Sequence, residues 1–210
     1  MDNTNGSKRM EGEEYAAALR GLAAREPVFA RVLERLGPPP LWQRAPGFGT
    51  LVHIILEQQV SLASALAAFN RLRERLGEVA PAPFLELSDA ELLAAGFSRQ
   101  KAGYCRGLAR ALLAGELDLA ALEGMDDADV RRALVRVKGI GPWSAEVYLL
   151  MVLLRADAWP GGDLALAQGA KELFGLALRP GPREMEELAE PWRPYRGAAA
   201  RLLWHHYLNP

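Results

Sequence analysis

The feature that most limits how this chain can fold is a short helical segment, a glycine-containing turn and a second helical segment over residues 126–155. The first segment begins at Asp126, a residue type that caps helices, and its apolar side chains recur with helical spacing as far as Val137. The turn reads KGIG, and Pro142 then stands where the first turn of a helix tolerates proline. We therefore predict two helices joined by a tight turn.

The turn itself has the chemistry of an anion site. Gly139 and Gly141 allow the backbone to curl, and the unpaired N–H groups that open the following helix carry partial positive charge. Such a site commonly binds phosphate, and the basic residues that lead into it, Lys138 among them, favour one. An ordinary turn between two helices with no ligand has the same pattern. The residues of the turn alone leave both interpretations open.

The remainder of the chain also predicts helices, so the expected fold class is all-α. Ala and Leu dominate, and runs of β-branched residues are few. Apolar periodicity predicts one or two helices over residues 15–36 with a break near Pro27, one long helix over 48–76, and a C-terminal helix over 195–207. The polar, glycine-containing residues at the start of the chain predict a disordered tail over 1–12.

Composition narrows the class of protein. A formal net charge of −1 and a pI of about 6.3 are low for a nucleic-acid-binding domain. The single cysteine, Cys105, excludes an internal disulfide, a four-cysteine zinc site and a four-cysteine iron–sulfur cluster. No apolar run approaches the roughly 20 residues of a membrane span, and no signal peptide is evident. We expect a cytoplasmic protein.

Four motifs, in order along about residues 48–208, resemble one family. They are ILEQQVSLASA, VKGIGPWSAEVYLL, WPGGD and EPWRPYRGAAARLLWHHYL. They are similar to those of the helix–hairpin–helix (HhH-GPD) DNA glycosylases, in particular the alkylpurine branch, 3-methyladenine DNA glycosylase II, without the extra N-terminal β domain of its larger members. The resemblance implies a monofunctional enzyme that flips and excises alkylated purines from duplex DNA. It also implies a single bilobed helical domain over residues 13–210, with the active-site cleft between the lobes.

The resemblance assigns catalysis to Asp163. Cleavage of a glycosidic bond builds positive charge on the sugar, and a fixed carboxylate stabilises that charge and orients the attacking water. Asp163 also stands where an N-cap would open the helix that follows, which is the common structural role of such a residue. Asp157, the nearby alternative, has the pattern of a solvated charge at a helix end.

The resemblance also implies an aromatic pocket, which suits a cationic alkylated purine. Trp143 occupies the position at which bifunctional relatives carry a Schiff-base lysine, so the implied enzyme uses water and does not cut the strand. The implied pocket residues are Trp143, Tyr195, Trp192 and Trp159. Core packing is the alternative for Trp192 and the expected role of Trp204 and Tyr207.

Contacts with DNA follow from the same resemblance. Gln59 matches the wedge that fills the hole left by a flipped nucleotide, although a polar helix face gives the same pattern. The implied DNA-binding residues are Gln58, Gln59, Ser61, Lys138, Gly139, Gly141 and Ser144. No cofactor and no iron–sulfur cluster are expected. The family's hairpin can hold Na⁺ or K⁺ through backbone carbonyls, which correspond here to those of Val135, Val137 and Ile140.

The expected partner is double-stranded DNA that contains alkylated bases, with no membrane and no obligate protein partner, and the expected state is a monomer active at the nucleoid. Two other classes of function remain open. A non-catalytic HhH DNA-binding module would bind DNA without releasing a base. A helical small-molecule enzyme or scaffold would fit the near-neutral charge but not the ordered motifs.

Overall fold

The computed structural model describes residues 9–209, and within that range the protein is all-α, with twelve α-helices, two short 3-10 helices and no strand. The α-helices are α1 (Gly12–Arg25), α2 (Pro27–Leu36), α3 (Phe48–Glu57), α4 (Leu62–Leu76), α5 (Pro81–Glu86), α6 (Asp89–Ala94), α7 (Arg99–Leu113), α8 (Asp127–Val135), α9 (Pro142–Met151), α10 (Leu164–Phe174), α11 (Pro182–Ala189) and α12 (Arg196–Leu208). The 3-10 helices are Ala121–Gly124 and Glu190–Trp192.

The described residues form two compact units. The first contains the residues up to Gln43 and those from Leu149 onward, so two separate stretches of chain build it. The second is the continuous stretch Arg44–Tyr148. The first unit therefore holds α1, α2 and α10 to α12, and the second holds α3 to α8 and most of α9.

Helix α12 is the centre of the first unit. It packs against α10, α2 and α1, and residues 196–204 within it are all buried. The guanidinium of Arg201 is fully buried there and donates to the carbonyl oxygens of Leu41, Leu150 and Gly197 at 3.0, 2.6 and 3.0 Å. Burial lowers the pKa of Arg201 to about 10. The three carbonyls offset the loss of water around this charge.

The second unit is centred on α3 and α7. Helix α3 packs against α4 and α7, and α5 also packs against α7. The ring of Phe84 lies between those of Phe48 and Phe97, with centroid distances of 5.4 and 5.8 Å. His53 stacks on Phe69 at 4.6 Å, and its burial lowers the pKa of the imidazole. These ring contacts join the helices that carry the turn between α3 and α4.

The single long helix predicted over residues 48–76 is wrong, because the structure has two helices there. Helix α3 ends at Glu57 and α4 begins at Leu62, and Gln59 between them adopts a left-handed conformation with φ 58°. Neither glycine nor proline marks the break. The apolar pattern therefore continues across a turn that local sequence does not reveal.

The predicted tail over 1–12 also differs at its end. Residues 1–8 lie outside the described residues, but Met10 is 2% exposed and its N–H donates to the carbonyl oxygen of Leu154 at 2.8 Å. Helix α1 then begins at Gly12. Residues 9–12 are thus part of the first unit, because the buried Met10 side chain anchors them.

Other sequence predictions are confirmed. The chain breaks before Pro27, Asp126 caps α8 through the N–H of Asp129 at 2.8 Å, and a helix follows Asp163. Across residues 9–209, the structure has no helix of the length and hydropathy that crossing a membrane would require.

Candidate functional site

Asp163 stands at the start of α10, where two donors hold its side chain. Its Oδ1 accepts the backbone N–H of Leu166 at 2.9 Å and the indole N–H of Trp204 at 3.1 Å. Its own N–H closes the preceding turn by donating to the carbonyl oxygen of Pro160 at 2.9 Å. Two donors on one oxygen fix the orientation of the half-buried carboxylate and stabilise its negative charge. The helix cap and the candidate catalytic group are therefore the same residue.

Trp204 is a site residue that sequence reasoning missed. It is 8% exposed and packs edge-to-face on Trp42 at 6.3 Å, which is the core role expected of it. Its indole N–H nevertheless reaches Asp163 from α12. The two residues are 41 positions apart, so no local pattern could have linked them.

Asp157 is not the solvated charge that its sequence context predicts. It is 8% exposed, and its two oxygens accept from Nε and Nη2 of Arg196 at 2.9 and 2.8 Å. Arg193 donates to it as well. Next to this pair, the N–H of Gly197 donates to the carbonyl oxygen of Ala156 at 2.9 Å. The stretch that leads to Asp163 is thereby held against the first turn of α12.

Tyr195 is half-buried at the start of α12 and borders a cavity. The cavity has a volume of about 120 Å³, and it is lined by Tyr195 together with Arg9, Met10, Glu14, Ala17 and Ala156. A ring that faces a cavity is compatible with contact to a base. The role of Tyr195 stays a prediction.

Trp192 and Trp159 lie in the core of the first unit, at 1% and 3% exposure. The ring of Trp192 lies 5.1 Å from Phe29, 5.9 Å from Phe174 and 5.7 Å from Trp159. Its indole N–H donates to Oε1 of Glu26 at 3.3 Å. This packing favours the core role of Trp192 over contact with a flipped base, because no face of its ring is open to one.

The glycine turn between α8 and α9, called the hairpin from here on, spans residues 136–141. Gly139 has φ 100°, and a Cβ atom on it would lie 2.3 Å from Cγ of Tyr104, so both conformation and packing require glycine there. Gly141 meets neither constraint, since nothing lies within 4 Å of its would-be Cβ. Within the described residues the N–H groups of both glycines lack an acceptor. The hairpin therefore presents backbone donors, as an anion site requires.

The basic residues around the hairpin are not equally available. Arg131 and Arg132 both form ion pairs, the first with Glu146. Arg136 and Lys138 are exposed, and neither forms an ion pair among residues 9–209. Only part of the basic cluster seen in the sequence can therefore meet an external anion.

Gln58 is half-buried and contacts the hairpin. Its Nε2 donates to the carbonyl oxygen of Gly139 and to Oγ of Ser144, both at 2.9 Å. These two acceptors use both amide hydrogens. The side chain therefore links the α3–α4 turn to the hairpin, and the DNA contact predicted for it stays a prediction. Ser144 is 1% exposed, so its hydroxyl also faces the protein.

Gln59 is exposed at the tip of the same turn. Lys101 on α7 stabilises the turn, because its ammonium donates to the carbonyl oxygens of Leu56 and Gln58 at 2.7 and 2.8 Å. Ser61 closes the other side as the N-cap of α4, where it accepts from the N–H of Ser64 at 3.2 Å. Lys101 could not be identified from local sequence, because its role depends on a tertiary contact.

The predicted residues fall into two groups, one in each unit. Asp163, Tyr195, Trp159 and Trp192 belong to the first unit. The second unit holds Gln58, Gln59, Ser61, the hairpin and Trp143, which is half-buried at the second position of α9. In the part of the chain that is described, no three His, Cys, Asp or Glu side chains are grouped as a metal site would need.

Comparisons with known proteins agree on one family. The family described as HhH-GPD superfamily base excision DNA repair protein matches residues 52–194. The chain is 28% identical over 199 residues to the alkylbase DNA glycosidase-like protein mag2 of Schizosaccharomyces pombe, and the match covers 91% of this chain and 93% of that protein.

Solved structures give the same result. The fold is similar to that of the S. pombe 3-methyladenine DNA glycosylase Mag1 in complex with abasic DNA, with a TM-score of 0.84, 26% identity, and coverage of 90% of this chain and 95% of that one. It is also similar to a DNA-3-methyladenine glycosidase from Bacillus halodurans, with a TM-score of 0.74, 30% identity, and coverage of 91% and 89%.

Proposed function

Since this chain belongs to the HhH-GPD superfamily of base excision DNA repair proteins, we propose that it is a monofunctional DNA glycosylase that removes alkylated purines of the 3-methyladenine class from duplex DNA. The observation that carries the proposal is the carboxylate of Asp163, which two donors hold by one oxygen. Similarity to two 3-methyladenine DNA glycosylases supports the choice of substrate class.

In the proposed reaction Asp163 acts on the sugar of the flipped nucleotide. The bond between C1′ and the base breaks, and positive charge develops on the sugar ring. The carboxylate stabilises that charge and orients a water molecule, which adds to C1′ and leaves an abasic site. Leu166 and Trp204 contribute by keeping the carboxylate in one orientation before the reaction begins, so that no reorganisation is needed.

Trp143 supports a reaction that uses water. A bifunctional mechanism needs an amine that forms a Schiff base with the sugar, and an indole cannot supply one. We therefore propose that the strand stays intact after base release. The half-buried Trp143 ring and Tyr195 are the proposed pocket residues, because aromatic faces attract a cationic purine. Trp192 and Trp159 are assigned to the core of the first unit.

The second unit contains the residues that we propose bind the DNA duplex. The free N–H groups of Gly139 and Gly141 and the ammonium of Lys138 suit a backbone phosphate. Gln59 is exposed at the tip of its turn, as a wedge that enters the base stack must be. Its left-handed φ of 58° is unfavourable for a residue with a Cβ, and Gln58 and Lys101 hold the turn that imposes it.

The proposed partner is double-stranded DNA alone, and the proposed place of action is the nucleoid. A monovalent cation at the hairpin would use the carbonyl oxygens of Val135, Val137 and Ile140. Those of Val135 and Ile140 accept no other hydrogen bond within the described residues, and carbonyl oxygen suits such an ion, so these groups fit it. A cation there would stiffen the hairpin, and no step of the proposed reaction uses it.

The test is a single-turnover assay on duplexes with defined alkylated purines. We expect Asp163→Asn to lose base release while it keeps its fold and its DNA affinity, because Asn caps a helix as well as Asp does. Asp126→Asn is the matched control, since Asp126 caps α8 with a bond of 2.8 Å and has no role in the reaction. Unchanged release by Asp163→Asn would refute the assignment. Binding without release by the wild type would indicate a DNA-docking module.

A further inference from the structure

A second cavity lies beside the hairpin, within the second unit. It has a volume of about 320 Å³, within the range of small-ligand sites, and its lining residues are Arg99, Gln100, Gly103, Tyr104 and Lys138. Four of these belong to the first turns of α7, and Lys138 belongs to the hairpin. Gly139 rests directly on the ring of Tyr104, which joins the two elements. The cavity is called the α7 cavity below.

The donors of the α7 cavity are free for a ligand. Arg99 and Lys138 are exposed and form no ion pair in the described chain, whereas Arg106 on the same helix is paired with Asp89. The hydroxyl of Tyr104 accepts from Nε2 of Gln100 at 2.6 Å, so its own hydrogen can be donated elsewhere.

Gly103 forms part of the lining of the α7 cavity. It lies inside α7, where glycine weakens a helix, and nothing lies within 4 Å of the position of its would-be Cβ. Packing and backbone conformation therefore give no reason for glycine at this position. A side chain there would enter the α7 cavity. Glycine keeps the cavity open.

We propose that the α7 cavity binds a second backbone phosphodiester of the bound DNA, which shares the ammonium of Lys138 with the phosphate at the hairpin. A guanidinium, an ammonium and a phenolic hydroxyl line one small space, and a phosphodiester offers the oxygens and the negative charge that all three donors need. This inference rests on the proposed function, which supplies duplex DNA as the ligand. It adds that α7 is part of the DNA-binding surface.

The test compares Arg99→Gln with Arg110→Gln in binding to an undamaged duplex at several salt concentrations. Arg110 is a matched control, because it is an exposed arginine without an ion pair on the same helix, outside the cavity. We expect Arg99→Gln to weaken binding by about tenfold at low salt and to reduce the slope of log K against log salt by about one. Arg110→Gln should change neither by much.

A second pair of variants tests the cavity itself. Gly103→Glu places a carboxylate in it, and Gly107→Glu makes the same change one turn further along α7, where a would-be Cβ also has nothing within 4 Å. We expect at least a tenfold loss of duplex affinity for the first and less than threefold for the second, with equal thermal stability. Equal duplex affinities within each pair of variants would overturn the inference. A cavity that binds a free nucleotide and not the DNA backbone would give that result. Base release measured on the same proteins tests the proposed function separately, because binding to undamaged DNA does not require catalysis.

Discussion

The bond from Trp204 to Asp163 gives the sharpest test of how the candidate site works. Trp204→Phe removes the indole N–H that lies 3.1 Å from Oδ1, while an aromatic ring still fills the buried space against Trp42. The carboxylate keeps its bond from Leu166, so the helix cap survives. The substitution therefore removes one of the hydrogen-bond donors to the Asp163 carboxylate and keeps the other.

The size of the effect follows from the kind of bond that is lost. A hydrogen bond to a charged group contributes about 1.5–3 kcal/mol. Asp163 is half-buried, so we take the lower end, about 1.5 kcal/mol, which corresponds to a rate of base release about tenfold lower. The affinity for duplex DNA should not change, because the bond lies on the candidate catalytic carboxylate and not at the proposed DNA-binding hairpin.

The assay is single-turnover release of 3-methyladenine with enzyme in excess. Trp42→Phe is the matched control, since it alters the ring that packs on Trp204 but leaves the bond to Asp163 in place. We expect this control to retain nearly the full rate. If Trp204→Phe stays within twofold of the wild type while Asp163→Asn is inactive, the indole does not orient the carboxylate and the reasoning fails.

Three further predictions concern stability. Gly139→Ala should lower the melting temperature by several degrees, because its Cβ would overlap a tyrosine ring, whereas Gly141→Ala should leave it nearly unchanged in a thermal melt. Asp157→Ala removes the nearest carboxylate from the buried guanidinium of Arg196 and leaves it the longer pair with Glu186 at 3.5 Å, which costs about 3 kcal/mol and should lower the melting temperature by about 10 °C. Glu187→Ala breaks an exposed pair and should change it by less than about 2 °C. Burial lowers the pKa of His53, so the unfolded chain takes up a proton at a higher pH than the folded protein. Stability should fall as pH drops below about 6.5, and His53→Phe should show a smaller fall in urea titrations at pH 7 and pH 5. An equal fall in both proteins would contradict this.

The sequence could predict the elements whose causes are local. The cap at Asp126, the break before Pro27 and the helix after Asp163 follow from residue types within a few positions of each other, and the structure has all three. The break at Gln59 could not be predicted, because Lys101 and the hairpin impose it from far along the chain.

The candidate site divides in the same way. Asp163 could be found from its motif and its capping position. The burial of Asp157 and the bond from Trp204 depend on α12 folding back against the loop, and the periodicity of α12 does not encode which loop it meets. A site residue can therefore be predicted from the sequence when its role depends on its own segment of the chain. A residue that orients the site from a distant segment cannot.

The order of the two units along the chain has a consequence for how the protein is made. The unit with the hairpin is one continuous stretch, Arg44–Tyr148, so all of it leaves the ribosome before the unit with Asp163 can be completed. That other unit is completed only after α12 has been synthesised and has packed against α1 and α2, which precede Arg44. During translation the nascent chain can thus complete the unit with the proposed DNA-binding hairpin before the unit with the candidate catalytic carboxylate. A chain that stops before α12 has a hairpin but lacks the tryptophan that orients the carboxylate.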